Sequence, residues 1–116
     1  MKLTEQQQQY LLAQAQFLIE YQHPGKAIPL LQLTLLENPE WSLANKLLLR
    51  AYWASKRFKS CFHLAEKLLQ QPELTLQEKY QVGLIQCRAL VATNHVAAAK
   101  TRYQKLKKIL EDSHAS

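Results

Sequence analysis

The sequence predicts an all-α protein assembled from helix pairs, and three observations carry that prediction. Leu, Ala, Gln, Lys and Glu dominate, all good helix formers, while glycine occurs only at Gly25 and Gly83. Turn formers are spaced so that six segments of helical length lie between them. The chain also resembles itself at an offset of 34 residues and then of 38.

The elements follow in order. Thr4 with Gln7 fits a capping box, in which each side chain satisfies a free backbone N–H, and opens the first helix. His23-Pro24-Gly25 reads as the turn that ends it, and Asn38-Pro39 ends the second helix. Pro29 lies near the start of that second helix, where few N–H groups are bonded. Its cost should therefore be below the roughly 3 kcal/mol of a mid-helix proline. Ser55-Lys56-Arg57 is a weaker turn between the third and fourth helices, and Gln71-Pro72 closes the fourth. Gln70 to Lys79 reads as a longer connection, within which Thr75 and Glu78 form a second capping box. Thr93-Asn94-His95 separates the last two helices. No alternating strand-length segment carries hairpin signals.

A length of 116 residues fits one domain, here 1–116, and an apolar fraction of 47% is that of a soluble chain. Apolar runs are too short for a transmembrane helix, so no membrane insertion is expected. The opening Met1-Lys2-Leu3-Thr4-Glu5-Gln6 lacks the apolar core of a secretory signal, so the protein is expected to stay where it is made. Cys61 and Cys87 form neither a disulfide framework nor a metal spacing, and a reducing cytosol suits both as free thiols.

At the offset of 34, Leu18 falls on Tyr52, Ala27 on Cys61, Leu31 on Ala65 and Thr34 on Leu68; Gln14 on Leu48 is a mismatch. At 38, Tyr52 falls on Leu90, Cys61 on Ala99, Ala65 on Tyr103 and Leu68 on Leu106. The pattern resembles the tetratricopeptide (TPR) repeat, W-x2-L-G-x2-Y, then A-x3-F, then P. Ala15, Leu18, Ala27, Leu31 and Pro39 occupy those places in a first unit (about 4–39), and Leu48, Leu49, Tyr52, Cys61, Ala65 and Pro72 in a second (40–73). Cys87, Leu90, Ala99 and Tyr103 do so in a third (75–112), before a polar tail (113–116). No unit holds the Trp or the Gly of the pattern. Ala15, Ala27, Cys61, Cys87 and Ala99 are the short residues that let paired helices cross closely. The resemblance implies three degenerate TPR helix pairs in a short right-handed solenoid. A six-helix bundle with a chance period is the alternative.

In such a solenoid the first helix of each pair lines a concave face. Periodicity then turns Leu12, Gln16 and Ile19 inward from the first, Leu43, Lys46, Arg50 and Trp53 from the second, and Leu84, Arg88 and Val91 from the third. That trough is mostly apolar with three cations and suits a helix or extended segment carrying apolar anchors and carboxylates. Trp53 and Arg50 are residue types that often dominate binding energy, and ordinary core is the alternative reading for Trp53 and Leu84. Lys46 and Arg50 superficially match a clamp for a free C-terminal carboxylate, but Leu12 and Gln16 stand where it needs a cation and an asparagine.

No chemistry of catalysis or cofactor binding is legible. None of His23, His63, His95 and His114 is spaced as a metal ligand, Cys61 and His63 point to opposing sides of a helix, and no glycine-rich phosphate loop exists. An enzyme, a metal site and a cofactor are therefore not expected. The net charge of +6 does need an account. Lys100, Arg102, Lys105, Lys107 and Lys108 crowd the last helix, beside an apolar stripe of Tyr103, Leu106, Ile109 and Leu110. A nucleic-acid binder would use such a face, but so would a solvated terminal cap or a dock for an acidic protein, and nucleic acid is the weakest of the three readings.

A finer resemblance rests on Thr4-Glu5-Gln6-Gln7-Gln8-Gln9-Tyr10-Leu11-Leu12, on Gly25-Lys26-Ala27 and on Leu35-Leu36-Glu37-Asn38-Pro39-Glu40. It is completed by Ala99 with Arg102-Tyr103 and the tail Glu111-Asp112-Ser113-His114-Ala115-Ser116. Together these resemble the small Y-type chaperones of bacterial type III secretion (the YscY kind), most strongly over the N-terminal third. The resemblance implies a cytoplasmic cradle for the X-type export protein (the YscX kind), docking at the cytoplasmic domain of the export gate on the inner membrane. Lys105, Lys107 and Lys108 then become candidates for a second contact with the X-type protein or the gate. A related TPR chaperone of the needle subunit is the nearest alternative. Alone, such a chain is expected to self-associate through its groove.

Overall fold

The computed structural model describes residues 2–115, so Met1 of the opening segment and Ser116 of the polar tail lie outside the described residues. The described residues form six α-helices and no strand: α1 (Glu5–Glu20), α2 (Pro24–Glu37), α3 (Ser42–Ala54), α4 (Phe58–Leu69), α5 (Leu76–Ala92) and α6 (Val96–Ala115). The all-helical class is as expected. The chain divides between Arg57 and Phe58 into two compact units, one holding α1–α3 and the other α4–α6.

Both capping boxes form. The Gln7 N–H donates to Thr4 Oγ1 at 3.1 Å and the Thr4 N–H to Gln7 Oε1 at 2.9 Å. Thr75 and Glu78 repeat the exchange, each bond at 3.1 Å. The second box starts α5 at Leu76, so the long connection is shorter than expected and ends before Lys79. The polar tail is also helical over Ser113–Ala115. Pro29 sits well inside α2, deeper than the sequence reading put it, and the helix runs through it. Pro24 stands at the first positions of α2, where its missing N–H has no intrahelical partner to lose.

The turns after α1, α3 and α5 are one backbone device used three times. Gln22, Lys56 and Asn94 have φ of 66°, 62° and 64°, the left-handed conformation that ends a helix. Behind each, the next N–H reaches back across the turn. The His23 N–H donates to the Leu18 carbonyl at 2.7 Å, Arg57 to Tyr52 at 2.8 Å and His95 to Leu90 at 2.8 Å. The left-handed residues donate a second bond each, to Ile19, Trp53 and Val91. The acceptors Leu18, Tyr52 and Leu90 are the three residues that the 34 and 38 offsets superimpose. At the first turn the expectation was wrong by two residues: Gly25 lies in the first turn of α2 with no positive φ, and Gln22 carries the reversal.

In the first unit α2 packs against both α1 and α3, and α1 also touches α3. Ala15, Ala27, Leu31 and Ala44 are fully buried there. Thr34 is equally buried and satisfies its hydroxyl by donating to the Leu30 carbonyl. Asn45 is buried too, and its side-chain amide donates to the carbonyls of Pro39 (3.0 Å) and Trp41 (3.1 Å), fixing the loop before α3. The Glu37 carboxylate accepts from the Leu3 N–H at 2.6 Å and ties the segment before α1 to the end of α2.

In the second unit α5 packs against both α4 and α6. Cys61, Ala65, Cys87 and Ala99 are buried, so all five short residues expected at close helix crossings are indeed inside. The sequence reading missed Gly83. A Cβ there would stand 2.7 Å from Leu106 Cδ2, so the Leu106 side chain packs directly on the α5 backbone and would have to shift for any larger residue at this position.

Candidate functional site

The expected groove residues are divided between the two units. In the first unit, Leu12 is only 7% exposed and offers a partner almost no surface. Gln16 is exposed and donates to Glu20 at 3.4 Å, and Ile19 is half-buried. On α3, Leu43 and Arg50 are exposed while Lys46 and Trp53 are half-buried. Because α1 and α3 touch, these two rows belong to one packed body. On α5, in the second unit, Leu84 is half-buried and Arg88 and Val91 are exposed.

A second surface of the first unit escaped the sequence reading. Tyr10, Phe17 and Tyr21 are exposed at 63%, 54% and 64%, and the Phe17 and Tyr21 rings lie 4.3 Å apart. Gln14 donates to the Tyr10 hydroxyl at 3.0 Å. At 100° per residue these aromatics share one stripe of α1, opposite Leu12, Ala15 and Ile19. The sequence carries the signal as an aromatic at i, i+7 and i+11.

The second unit holds a polar cluster joining all three of its helices. Gln86 of α5 is buried and donates to the Phe62 carbonyl (3.3 Å) and to Glu66 Oε2 (2.9 Å) of α4. Arg102 of α6 donates to the same Glu66 oxygen at 2.9 Å and to Gln86 Oε1 at 3.0 Å. Its guanidinium also lies 4.9 Å from the centre of the Phe62 ring. Glu66 and Arg102 are 39% and 40% exposed, so the ion pair by itself is a modest contributor. Its geometry matters more, since it holds Gln86 in a fully bonded buried position.

Beside that cluster a cleft of about 330 Å³ opens between α5 and α6. Leu69, Leu76, Tyr80, Leu106, Ile109 and Leu110 make its walls apolar, and Gly83 and Cys87 complete its floor. Lys79, Arg102 and Lys105 are its charged lining residues, and no carboxylate lines it. The three lysines expected to act together on α6 are all exposed. Of these, Lys105 lines the cleft and Lys107 and Lys108 do not. Tyr103 stands close to Tyr80, and its phenol, with some burial, holds the Tyr80 hydroxyl above its ordinary pKa.

Neither cysteine is disposed as a nucleophile. Burial pushes the Cys61 thiol up to about 11 and raises Cys87 as well, with Arg102 pulling the latter back. His63 is exposed whereas Cys61 is fully buried, so the two present nothing in common to a substrate. Among the described residues no helix is long and apolar enough to cross a membrane. Compared with protein-family models, with curated proteins and with solved structures, the chain matches none.

Proposed function

We propose that this chain is a TPR-like protein-binding module that holds a helical segment of a partner protein along α1 and α3, which touch in its first unit. The observation that carries the reading is the turn repeated at Gln22, Lys56 and Asn94, because it recurs at the same 34 and 38 offsets as the side-chain pattern. A shared backbone device in register with a shared sequence pattern is what a repeat unit produces, and it supports the repeat reading. Further support comes from α2, which packs on α1 and α3 while those two touch, as the middle helix of consecutive pairs must. In this reading Gln16, Leu43, Arg50 and Trp53 are the accessible part of the groove, Leu12 supports it from within, and Arg88 and Val91 are an exposed row of the second unit by itself.

The resemblance to Y-type chaperones of type III secretion supplies the occupant: a helix of the X-type export protein, held in the cytoplasm and delivered to the export gate. Burying an apolar helix in the groove removes area from water, worth roughly 25 cal/mol per Å². It also stabilises the cradle by mass action.

Co-expression with the tagged X-type protein and, separately, with the needle subunit tests the proposal. A one-to-one complex with the X-type protein alone, lost in Trp53→Ala or Arg50→Glu chains that still fold, is the expected result. Capture of the needle subunit instead would keep the cradle and change its cargo. Normal binding by both variants would remove the groove assignment.

A further inference from the structure

The cleft between α5 and α6 lies apart from the Arg88 and Val91 row and plays no part in the function proposed above. We infer that it is a second docking site, built for an acidic amphipathic helix of a partner protein. Three features select that occupant.

The first is shape. The cleft is lined along α5 from Leu76 to Cys87, a rise of about 16 Å, which is three helical turns. A volume of about 330 Å³ is at the small end of ligand pockets, which run roughly 300–1,000 Å³. A long shallow trough with apolar walls takes a row of side chains from one helix face better than it encloses a compact molecule.

The second is charge. The lining holds Lys79, Arg102 and Lys105 and no carboxylate. Glu66 already engages Arg102, so the two lysines are the cations left for an incoming group. A second copy of this chain, at a net charge of +6, would bring more cations to the same place.

The third is how that charge is distributed. Lys105 adjoins Leu106, which stands over Gly83, whereas Lys79 lies four residues earlier on α5, about 6 Å or one helical turn along the cleft. A single-headed amphiphile needs its cations at one end. Cations spaced along an apolar trough match a helix that repeats carboxylates beside its apolar face. Ile109, 54% exposed, is the apolar lining side chain most open to such a helix.

The test uses the full chain, isotope-labelled for amide spectra. The probes are two synthetic three-turn amphipathic peptides with the same leucine face, one with glutamates and one with lysines on the polar face. The acidic peptide should shift amides within 76–87 and 102–110. A Lys79→Glu/Lys105→Glu chain should bind it at least about tenfold more weakly. Ile109→Glu should do the same, and both substitutions sit on side chains outside the core, so the helical spectrum should persist. Equal binding of the two peptides would overturn the inference. So would shifts confined to α1 and α3, which would leave the groove proposal standing and the cleft without a ligand. Cleft shifts that grow with protein concentration alone, with a dimer mass by light scattering, would assign the cleft to a second copy and also overturn it.

Discussion

Each unit buries one side-chain amide, and the two use it differently. Asn45 in the first unit bonds two backbone carbonyls within six residues of itself and so fixes a loop. Gln86 in the second bonds across α4, α5 and α6 and so fixes the packing of three helices. The first unit otherwise closes its crossings with methyl groups at Ala15, Ala27 and Ala44. The second uses a glycine and a polar cluster, and leaves a cleft beside them. A buried amide is thus a local staple in one place and a tertiary tie in the other. The tie is the costlier to cut, because removing it strands partners on two other helices.

The largest expected effect follows from that contrast. Gln86→Ala should cost about 2–3 kcal/mol, from the lost side-chain volume and from bonds taken away from the Phe62 carbonyl, Glu66 and Arg102. Asn45→Ala should cost about 1–2 kcal/mol, since its carbonyl partners lie in a loop that water can reach. Both tryptophans, Trp41 and Trp53, lie in the first unit. Indole fluorescence therefore follows that unit, while far-ultraviolet dichroism follows both. In denaturant, Gln86→Ala should lower the dichroism midpoint more than the fluorescence midpoint, and Asn45→Ala the reverse. Identical shifts in both signals for both variants would mean that the units unfold as one, and the contrast would hold only for the side chains.

The next effect also separates the units, because both cysteines belong to the second. An unfolded thiol ionises around 9.0, while the buried Cys61 thiol is held at about 11. Below pH 9 both states keep the proton and pH changes nothing. Between pH 9 and 11 the unfolded chain loses it first, which favours unfolding. Stability should therefore fall as pH rises through that window, by on the order of 2 kcal/mol at its upper end. Cys61→Ala should flatten this part of the pH curve even if it lowers stability at neutral pH. A variant that falls as steeply as the parent would show that lysine titration, not the thiol, governs alkaline unfolding.

These contrasts also mark what the sequence could disclose. The six helices, both capping boxes and the five short crossing residues were legible, because each depends on residues close together in the chain or on a helical period. Gly83 was not, because its meaning depends on Leu106, 23 residues later, standing over it. The Glu66–Gln86–Arg102 cluster was hidden for the same reason: each member reads alone as an ordinary surface residue of its helix. The basic residues of α6 were counted correctly, yet counting placed Lys105, Lys107 and Lys108 together. Only Lys105 borders the cleft, because successive positions turn through 100°. In the first groove row, helical spacing put Leu12 on the same face as Gln16 and Ile19, but spacing cannot say how deeply neighbouring helices cover each position of that face.

The smallest effect tests the repeated turn itself. Gln22, Lys56 and Asn94 hold nearly the same positive φ, and a side chain in that region costs about 1–2 kcal/mol relative to glycine's freedom there. Glycine gives back roughly 0.5–1 kcal/mol through the greater entropy of its unfolded chain. Gln22→Gly and Lys56→Gly should therefore each raise stability by about 0.5–1 kcal/mol. Asn94→Gly should gain much less, because asparagine enters the left-handed region more readily than other side chains. Thermal melts of the three single variants would give the order. Equal gains at all three positions would mean that the turn backbone alone sets the cost and that Asn94 brings no advantage to its unit. A loss at Lys56 would mean that its side chain does something the turn does not require, which would single out the connection at the boundary of the two units from its two counterparts.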